Sequence, residues 1–289
     1  MRIVIIALLA VAGCAGHVRQ PEVPTGPSLK VMTWNVNWGG PGAGLAVRAI
    51  LDADADIVCL QETTPAWEKY LREQLSARYP FMAFSPADRR LRGAFEAQTP
   101  QRYRIAGGLA FLAKEAGVEV AFVPSVTGWF DSLIMQFQTP IGPVQVNNVH
   151  LQPIANDKGS FTIAAYFSSG GRHEREIERF HAPLKQGVPA ICVGDFNEGD
   201  GGSAVEWLEE HGMTSALPEF DRSTDTWQWD LGWITLHKRL DHTLYSPELH
   251  CHSASVLKAG ASDHLPVVAV FGMKQSATGT DAGEATVEP

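Results

Sequence analysis

The chain has 289 residues, of which 45% are hydrophobic and 19% charged. That balance suits one or two globular domains and excludes wholesale disorder and fibrous repeats. The formal net charge is −9, from 23 Lys and Arg against 32 Asp and Glu. Such a surface argues against tight, non-specific binding to nucleic acid, which depends on neutralising phosphates with cationic side chains. It leaves room for an enzyme that holds one phosphate through a metal ion, because the ion supplies the missing positive charge.

Residues 1–13 carry Arg2 and then an apolar run from Ile3 to Ala12. A membrane-spanning helix needs about 20 apolar residues. This run is too short for that and fits the core of a secretory signal. Its end, Val11-Ala12-Gly13-Cys14, resembles the lipobox of bacterial lipoproteins. The resemblance implies cleavage before Cys14 and lipidation of its sulfur; the alternative is a plain signal peptide in which Cys14 is incidental. Ala15 follows, not Asp, which by the same resemblance implies transfer to the outer membrane. The expected location is extracytoplasmic and lipid-anchored, at the periplasmic face of the outer membrane or the cell surface. Residues 14–28, rich in Pro, Gly and Ser, read as the lipidated Cys and a flexible tether. Residues 29–273 read as the folded domain, and 274–289 as a disordered tail.

Within the domain, strands are predicted at LKVMTWNV, DIVCLQE, GLAFLA, EVAFVP, SLIMQFQT, GPVQVNNVHL, PAICVGDFN, LDHTLYS and LPVVAVFG, short runs bordered by turn residues. Helices are predicted over 45–51, 65–78, 172–186 and 203–211. Many short strands with helices between them suggest two packed sheets with helices outside. The segment 85–104 carries Arg89, Arg90, Arg92, Arg102 and Arg104 and reads as a long surface loop. Cys59 and Cys192 lie in apolar runs and read as small buried hydrophobes. In His250-Cys251-His252 adjacent residues point to alternate faces, so the three cannot share one metal, although the two His can share a face.

One pattern recurs: apolar strands end in acidic, amide or imidazole residues. Asn35, Glu62, His150, Asp195 and Asn197 close strands, Asp241 opens one, and Asp263 and His264 precede the last. Strand ends gather at one edge of a sandwich, where loops carry function. Carboxylates without a thiolate cluster suit a hard cation, Mg²⁺, Mn²⁺ or Ca²⁺. Imidazoles beside such an ion suit phosphate-ester hydrolysis. Taken singly, each residue has a plainer reading: Asn35 a turn former, Glu62 a cap for the helix opening near Pro65, His150 an exposed side chain, Asp195-Phe196-Asn197 a turn.

Taken in order, TWNV at 33–36, DIVCLQE at 56–62, NVHL at 148–151, GDFN at 194–197, RLDHTLYS at 239–246 and SDHLPV at 262–267 resemble the endonuclease/exonuclease/phosphatase (DNase I-like) superfamily. The resemblance covers about residues 29–272. It implies a four-layered α/β sandwich of two stacked, mostly antiparallel sheets flanked by helices. It also implies roles: Glu62 as principal metal ligand with Asn35 and Asp263 close to the ion; Asp195 orienting or deprotonating the attacking water; His150 and Asn197 on phosphate oxygens; His264 on the scissile phosphate with Asp241 behind it. Whether Asp195 or His264 is the base stays open. His242, after Asp241, departs from the pattern and is expected to face away. Phe111 stands where nucleases of the family often carry a Tyr.

The expected activity is metal-dependent phosphoesterase, first an endonuclease or exonuclease, alternatively a phospholipase C or sphingomyelinase-like enzyme or an inositol-phosphate phosphatase. The expected partners are a phosphate-ester substrate (nucleic acid, phospholipid or small ester) and the membrane through the N-terminal lipid, with the chain acting as a monomer. Trp227, Trp229 and Trp233 read either as a membrane-entering hairpin or as core or site-wall aromatics. The rival of another class is a non-catalytic surface lipoprotein, whose expected sign, decay of the ligand set, is missing here.

Overall fold

The computed structural model describes residues 18–85, 107–125, 130–153, 163–230 and 232–275. The expected signal peptide and Cys14, the arginines of the 85–104 segment and the tail from residue 276 lie outside the described residues.

The chain opens with β1 (Leu29–Asn35), α1 (Ala43–Ala53), β2 (Ile57–Thr63) and α2 (Pro65–Leu75). Strands β3 (Phe81–Phe84), β4 (Gly108–Ala113), β5 (Gly117–Val123), β6 (Ser132–Thr139) and β7 (Gly142–His150) follow, then α3 (Ile163–His181) and β8 (Ala190–Asp195). The last third holds α4 (Ser203–Glu210), β9 (Thr214–Ser215), α5 (Leu217–Phe220), β10 (Trp227–Asp230), β11 (Thr235–Lys238), β12 (Asp241–Tyr245), β13 (Leu249–Val256) and β14 (Val267–Met273). One six-stranded sheet has the order β13-β14-β1-β2-β4-β3 and the other β5-β6-β7-β8-β12-β9, while β10 and β11 form a separate hairpin. Only β1–β2 and β7–β8 pair in parallel among the named pairings.

Three apolar clusters make the layers. Leu109, Phe111, Phe137, Val146, Val193 and Phe271 fill the space between the sheets. Trp34, Ile50, Trp67 and Leu71 join α1 and α2 to the outside of the first sheet. Ile177, Phe180, Cys192, Phe196 and Leu208 join α3 and α4 to the outside of the second. This is the expected four-layered α/β sandwich. Cys59 and Cys192 are buried free thiols, as read from their apolar runs, and Cys251 is a buried free thiol as well. Among the described residues, no helix is long and apolar enough to cross a membrane.

Helix ends follow local chemistry. Thr64 caps α2 by accepting from the Trp67 amide at 3.2 Å, with Pro65 opening the first turn. The cap is therefore Thr64, and Glu62 is released for another task. Helix α3 starts nine residues earlier than predicted, because a Ser-Ser-Gly-Gly stretch hides its period, and it stops at His181, two residues before Pro183.

Residues 18–28, the described part of the expected tether, have no regular structure but are fastened to the domain. The Arg19 amide donates to the Glu219 carbonyl at 2.7 Å, and the Glu22 amide to the His252 carbonyl at 2.8 Å.

Candidate active site

The ends of β1, β2, β7 and β8, the start of β12 and the approach to β14 converge at one edge of the two sheets. Behind that edge the sheets are tied by a buried amide pair. Gln61 Nε2 donates to Asn148 Oδ1 at 2.7 Å, and Asn148 Nδ2 faces the carbonyls of Leu60 and Ala110, both at 3.1 Å. Buried hydrogen bonds of this kind help fix the register of one sheet on the other.

Asp195 is the hub. Its Oδ2 accepts from Asn35 Nδ2 at 3.0 Å and lies 3.4 Å from His150 Nε2 and 3.6 Å from His264 Nε2. Its Oδ1 accepts from the Asn197 amide at 2.9 Å. Burial raises the Asp195 carboxyl to about 7, because the loss of solvation and the nearby Asp241 charge outweigh the help of His264 and Asn35. Gly194 makes this position possible. It has φ 146°, and a Cβ there would overlap the Val149 carbonyl on the parallel neighbour β7.

His264 stands between two carboxylates. Its Nδ1 faces Asp241 Oδ2 at 2.8 Å, and Asp241 is directly opposite Asp195 in the β8–β12 register. Burial would lower the His264 pKa, but the charges of Asp241 and Asp195 win and push it up to about 10. The two carboxylates thus favour the protonated ring. Backbone bonds hold both partners. Thr226 Oγ1 accepts from the Asp241 amide at 3.0 Å, Ser262 Oγ from the His264 amide at 3.1 Å, and the His264 carbonyl from Trp34 Nε1 at 2.9 Å.

Glu62 and Asp263 form the other half. The register of β2 against β4 shifts between Gln61 and Thr63, so Glu62 is an inserted residue, and its φ is 60°. A Glu in this left-handed region costs roughly 1 kcal/mol or more and persists only where its surroundings require it. Glu62 Oε2 accepts from the Trp38 amide at 3.0 Å. Desolvation raises the Glu62 pKa above its usual value, helped by Asp263 and opposed by Trp38, Asn35 and His264. Asp263 Oδ1 accepts from Asn37 Nδ2 at 2.8 Å, and the Asn37 amide donates back to Asn35 Oδ1 at 3.0 Å. Among the described residues, neither Glu62 nor Asp263 pairs with a Lys or Arg. Two facing carboxylates and an amide oxygen, one carboxylate half-buried at a cost, fit a hard divalent cation. A second place for a cation is the buried cluster of Asp195, Asp241 and His264, whose ligand atoms lie within 4.8 Å of one another.

All eight predicted side chains are thus gathered at one edge. Asn197, left-handed at φ 53°, gives one N–H to the Leu151 carbonyl at 2.9 Å. His150 is stacked on Phe130, with ring centroids 3.7 Å apart, and is buried, so its reading as an exposed side chain falls. His242 faces away as expected: its Nε2 meets the Glu198 carbonyl at 2.9 Å and its ring packs on Phe196. Phe111 lies in the core between the sheets, 5.6 Å from the Phe137 ring, and plays no part at the edge. Sequence reading missed Asn37, Ser262 and Thr226. The Asn37-Trp38-Gly39-Gly40 turn was the available signal for the first of them.

The hairpin β10–β11 borders the site. The Gln228 amide donates to the Asp263 carbonyl at 2.9 Å, and Trp227 bridges to His264. Trp229 is 43% exposed and Trp233 85%, so these two are not core residues.

The model of the Endonuclease/Exonuclease/phosphatase family matches residues 32–264. Among solved structures, the human Nocturnin catalytic domain with bound sulfate anion aligns at a TM-score of 0.62 and 18% identity, over 86% of this chain and 94% of that one. D. rerio TDP2 complexed with single strand DNA product aligns at 0.62 and 15%, over 85% and 99%. An endonuclease/exonuclease/phosphatase family protein from Bacteroides thetaiotaomicron aligns at 0.59 and 18%, over 87% and 98%. At these identities the likenesses show the shared fold. No curated protein matches the chain.

Proposed function

The chain belongs to the endonuclease/exonuclease/phosphatase family, and from that premise we propose that it is a divalent-metal-dependent hydrolase of phosphodiester bonds. One observation carries the reading: a single carboxylate oxygen, Asp195 Oδ2, sits 3.4 Å from the His150 imidazole and 3.6 Å from that of His264. That arrangement supports a reading of Asp195 as a base beside two groups able to hold phosphate oxygens. Asp195, raised to about 7, accepts the proton of the attacking water; His264, raised to about 10, binds the phosphate as a cation. Asp241 holds its Nδ1. His150 and Asn197 bind further phosphate oxygens. Glu62, Asn35 and Asp263 would hold a Mg²⁺ or Mn²⁺ ion, which when bound would supply positive charge beside the phosphate.

Single-stranded nucleic acid is the leading substrate. The fold is that of D. rerio TDP2, solved with single strand DNA product, and a net charge of −9 disfavours grip on a duplex. Exposed Trp229 and Trp233 beside the site supply stacking faces for unpaired bases. The same hairpin, with Ile234 and Leu236 also exposed, favours a second reading, a phospholipid diesterase whose hairpin enters the lipid surface. A lipid on Cys14, as the lipobox resemblance implies, would hold either enzyme outside the cytoplasm.

The test is a panel of single-stranded DNA, RNA, plasmid, sphingomyelin and phosphatidylinositol phosphates, with Mg²⁺ or chelator, on wild type and Asp195→Asn. Metal-dependent hydrolysis lost in the variant supports the assignment. No turnover of any diester, or equal turnover by Asp195→Asn, overturns it. For the anchor, wild type should label with a fatty-acid analogue and Cys14→Ser should not; an unlabelled wild type leaves only the plain signal peptide.

A further inference from the structure

A second cluster of metal-binding side chains lies far from the active site. Glu22, His250 and His252 each offer a ligand atom, and these atoms all fall within 4.8 Å of one another. His250 Nε2 is 2.8 Å and His252 Nδ1 3.4 Å from the same oxygen, Glu22 Oε2. In a tetrahedral zinc site with bonds near 2.1 Å, ligand atoms stand roughly 3.4 Å apart. The His252 separation already matches that value and the His250 separation falls short of it, so His250 and Glu22 need only move apart by roughly half an ångström.

The strand is shaped for this. Cys251 points into the core, which turns its two neighbours to the other face. The β13–β14 register shifts between Cys251 and Ser253, so His252 is an inserted residue, and the two imidazoles approach to 4.7 Å between centroids. Gly272, opposite His250, leaves the room: a Cβ there would lie 2.7 Å from His252 Nε2. The cluster lines a cleft of about 680 Å³ open to solvent, with Thr25 and Pro27 on one wall.

We infer that Glu22, His250 and His252 bind a zinc-class divalent ion that clasps the N-terminal segment onto β13. Two imidazoles and one carboxylate are a borderline-soft donor set, different from the all-oxygen set around Glu62, and water from the cleft completes the tetrahedron. Arg19, whose Nη2 lies 3.3 Å from His250 Nε2, retains Glu219 at 2.6 Å when the ion takes that nitrogen. Cross-strand register places the clasp beside Leu29, through Phe271 and Cys251, whereas the catalytic edge begins at Asn35. Six residues of strand separate them by roughly 20 Å.

The test uses the full chain in detergent, stripped of metal, with Mg²⁺ in excess to occupy the hard site. Zinc uptake is measured by equilibrium dialysis, and tryptic cleavage after Arg19 is followed with and without zinc. Wild type should bind one more zinc than the His250→Ala/His252→Ala protein, and zinc should slow its cleavage after Arg19 by about tenfold. Hydrolysis with Mg²⁺ should be unchanged in the double variant. Glu22→Gln, at a position outside the strands of both sheets, should show the same loss of zinc and protection. Equal zinc uptake by wild type and Glu22→Gln, or cleavage insensitive to zinc in wild type, overturns the clasp.

Discussion

His264 Nδ1 and Asp241 Oδ2 meet at 2.8 Å although Asp241 is in one sheet and His264 precedes a strand of the other. Asp241 opens β12 in one sheet, and His264 leads into β14 in the other. The bond therefore depends on how the sheets are stacked, and it fixes which imidazole nitrogen faces Asp195. His264→Ala should lower kcat by about 10³-fold or more, since it removes a cation beside the developing charge. Asp241→Asn should cost less, because the ring remains in a less favoured tautomer. The double variant should be little worse than His264→Ala alone, as groups acting as a unit are non-additive. A kinetic cycle in which the two losses multiply would remove the pair from the mechanism.

The metal half of the site makes a separate prediction. Glu62→Gln keeps the shape and the Trp38 contact while removing charge, so the Mg²⁺ concentration for half-maximal rate should rise at least about tenfold. Asn37→Ala releases Asp263 from its 2.8 Å hydrogen bond and should raise it less, with kcat at saturating Mg²⁺ nearly intact. Unchanged Mg²⁺ dependence in Glu62→Gln would move the ion elsewhere, to the Asp195, Asp241 and His264 cluster.

The strand-end pattern drew attention to Asn35, Glu62, His150, Asp195, Asn197, Asp241, Asp263 and His264, and their order along the chain, through its family resemblance, made them legible as a set. What stayed hidden was set by local backbone geometry. Glu62 reaches the site through a bulge and a left-handed φ, and no composition signal marks either. Asn37, Ser262 and Thr226 act through hydrogen bonds to backbone groups and to other polar side chains, which leave no mark in the apolar pattern. Strands β10 and β11 lack a core-facing side, so the alternation used to find strands is missing there.

Gly194 and Gly187 separate crowding from backbone strain. Both have positive φ, 146° and 75°, but only at Gly194 does a Cβ overlap backbone, that of Val149. Gly187→Ala should cost about 1 kcal/mol in unfolding free energy. Gly194→Ala should cost about 3 kcal/mol or more and lower kcat too, because Asp195 follows it. Equal losses by denaturant unfolding would mean that β7 gives way without resistance.

Stability should carry a histidine signature from behind the active site. His173 Nδ1 faces Glu198 Oε2 at 2.8 Å, and its Nε2 faces the Gln152 carbonyl at 2.7 Å. Glu198 Oε1 accepts from the Ala204 and Val205 amides at the start of α4. Burial lowers the His173 pKa, but Glu198 more than compensates, and the net shift is upward. A folded value above the unfolded one of about 6.5 means that the stabilisation is complete below pH 6.5. It is lost as pH rises through the folded value. The Tm advantage of wild type over His173→Gln should therefore shrink between pH 6 and pH 9. An advantage that grows over this range would reverse the sign of the interaction.

The β10–β11 hairpin should govern the choice of substrate without touching the chemistry. Its backbone is tied to the site at Asp263 and His264, while Trp233 stands 85% exposed. Removing an exposed aromatic face leaves the catalytic groups in place and takes away a stacking or lipid-inserting surface. Trp229→Ser/Trp233→Ser should keep kcat/KM on a small chromogenic phosphodiester within about twofold of wild type. On an extended substrate the loss of two stacking contacts, each worth about 1–3 kcal/mol, should raise KM by at least about tenfold with kcat little changed. The identity of the affected substrate then separates the two readings. A rise in KM on single-stranded oligonucleotides, with vesicle binding unaltered, marks a nuclease. Loss of sedimentation with phospholipid vesicles, with oligonucleotide cleavage unaltered, marks a lipid diesterase. Wild-type KM on both substrates would make the exposed tryptophans bystanders to the site they border.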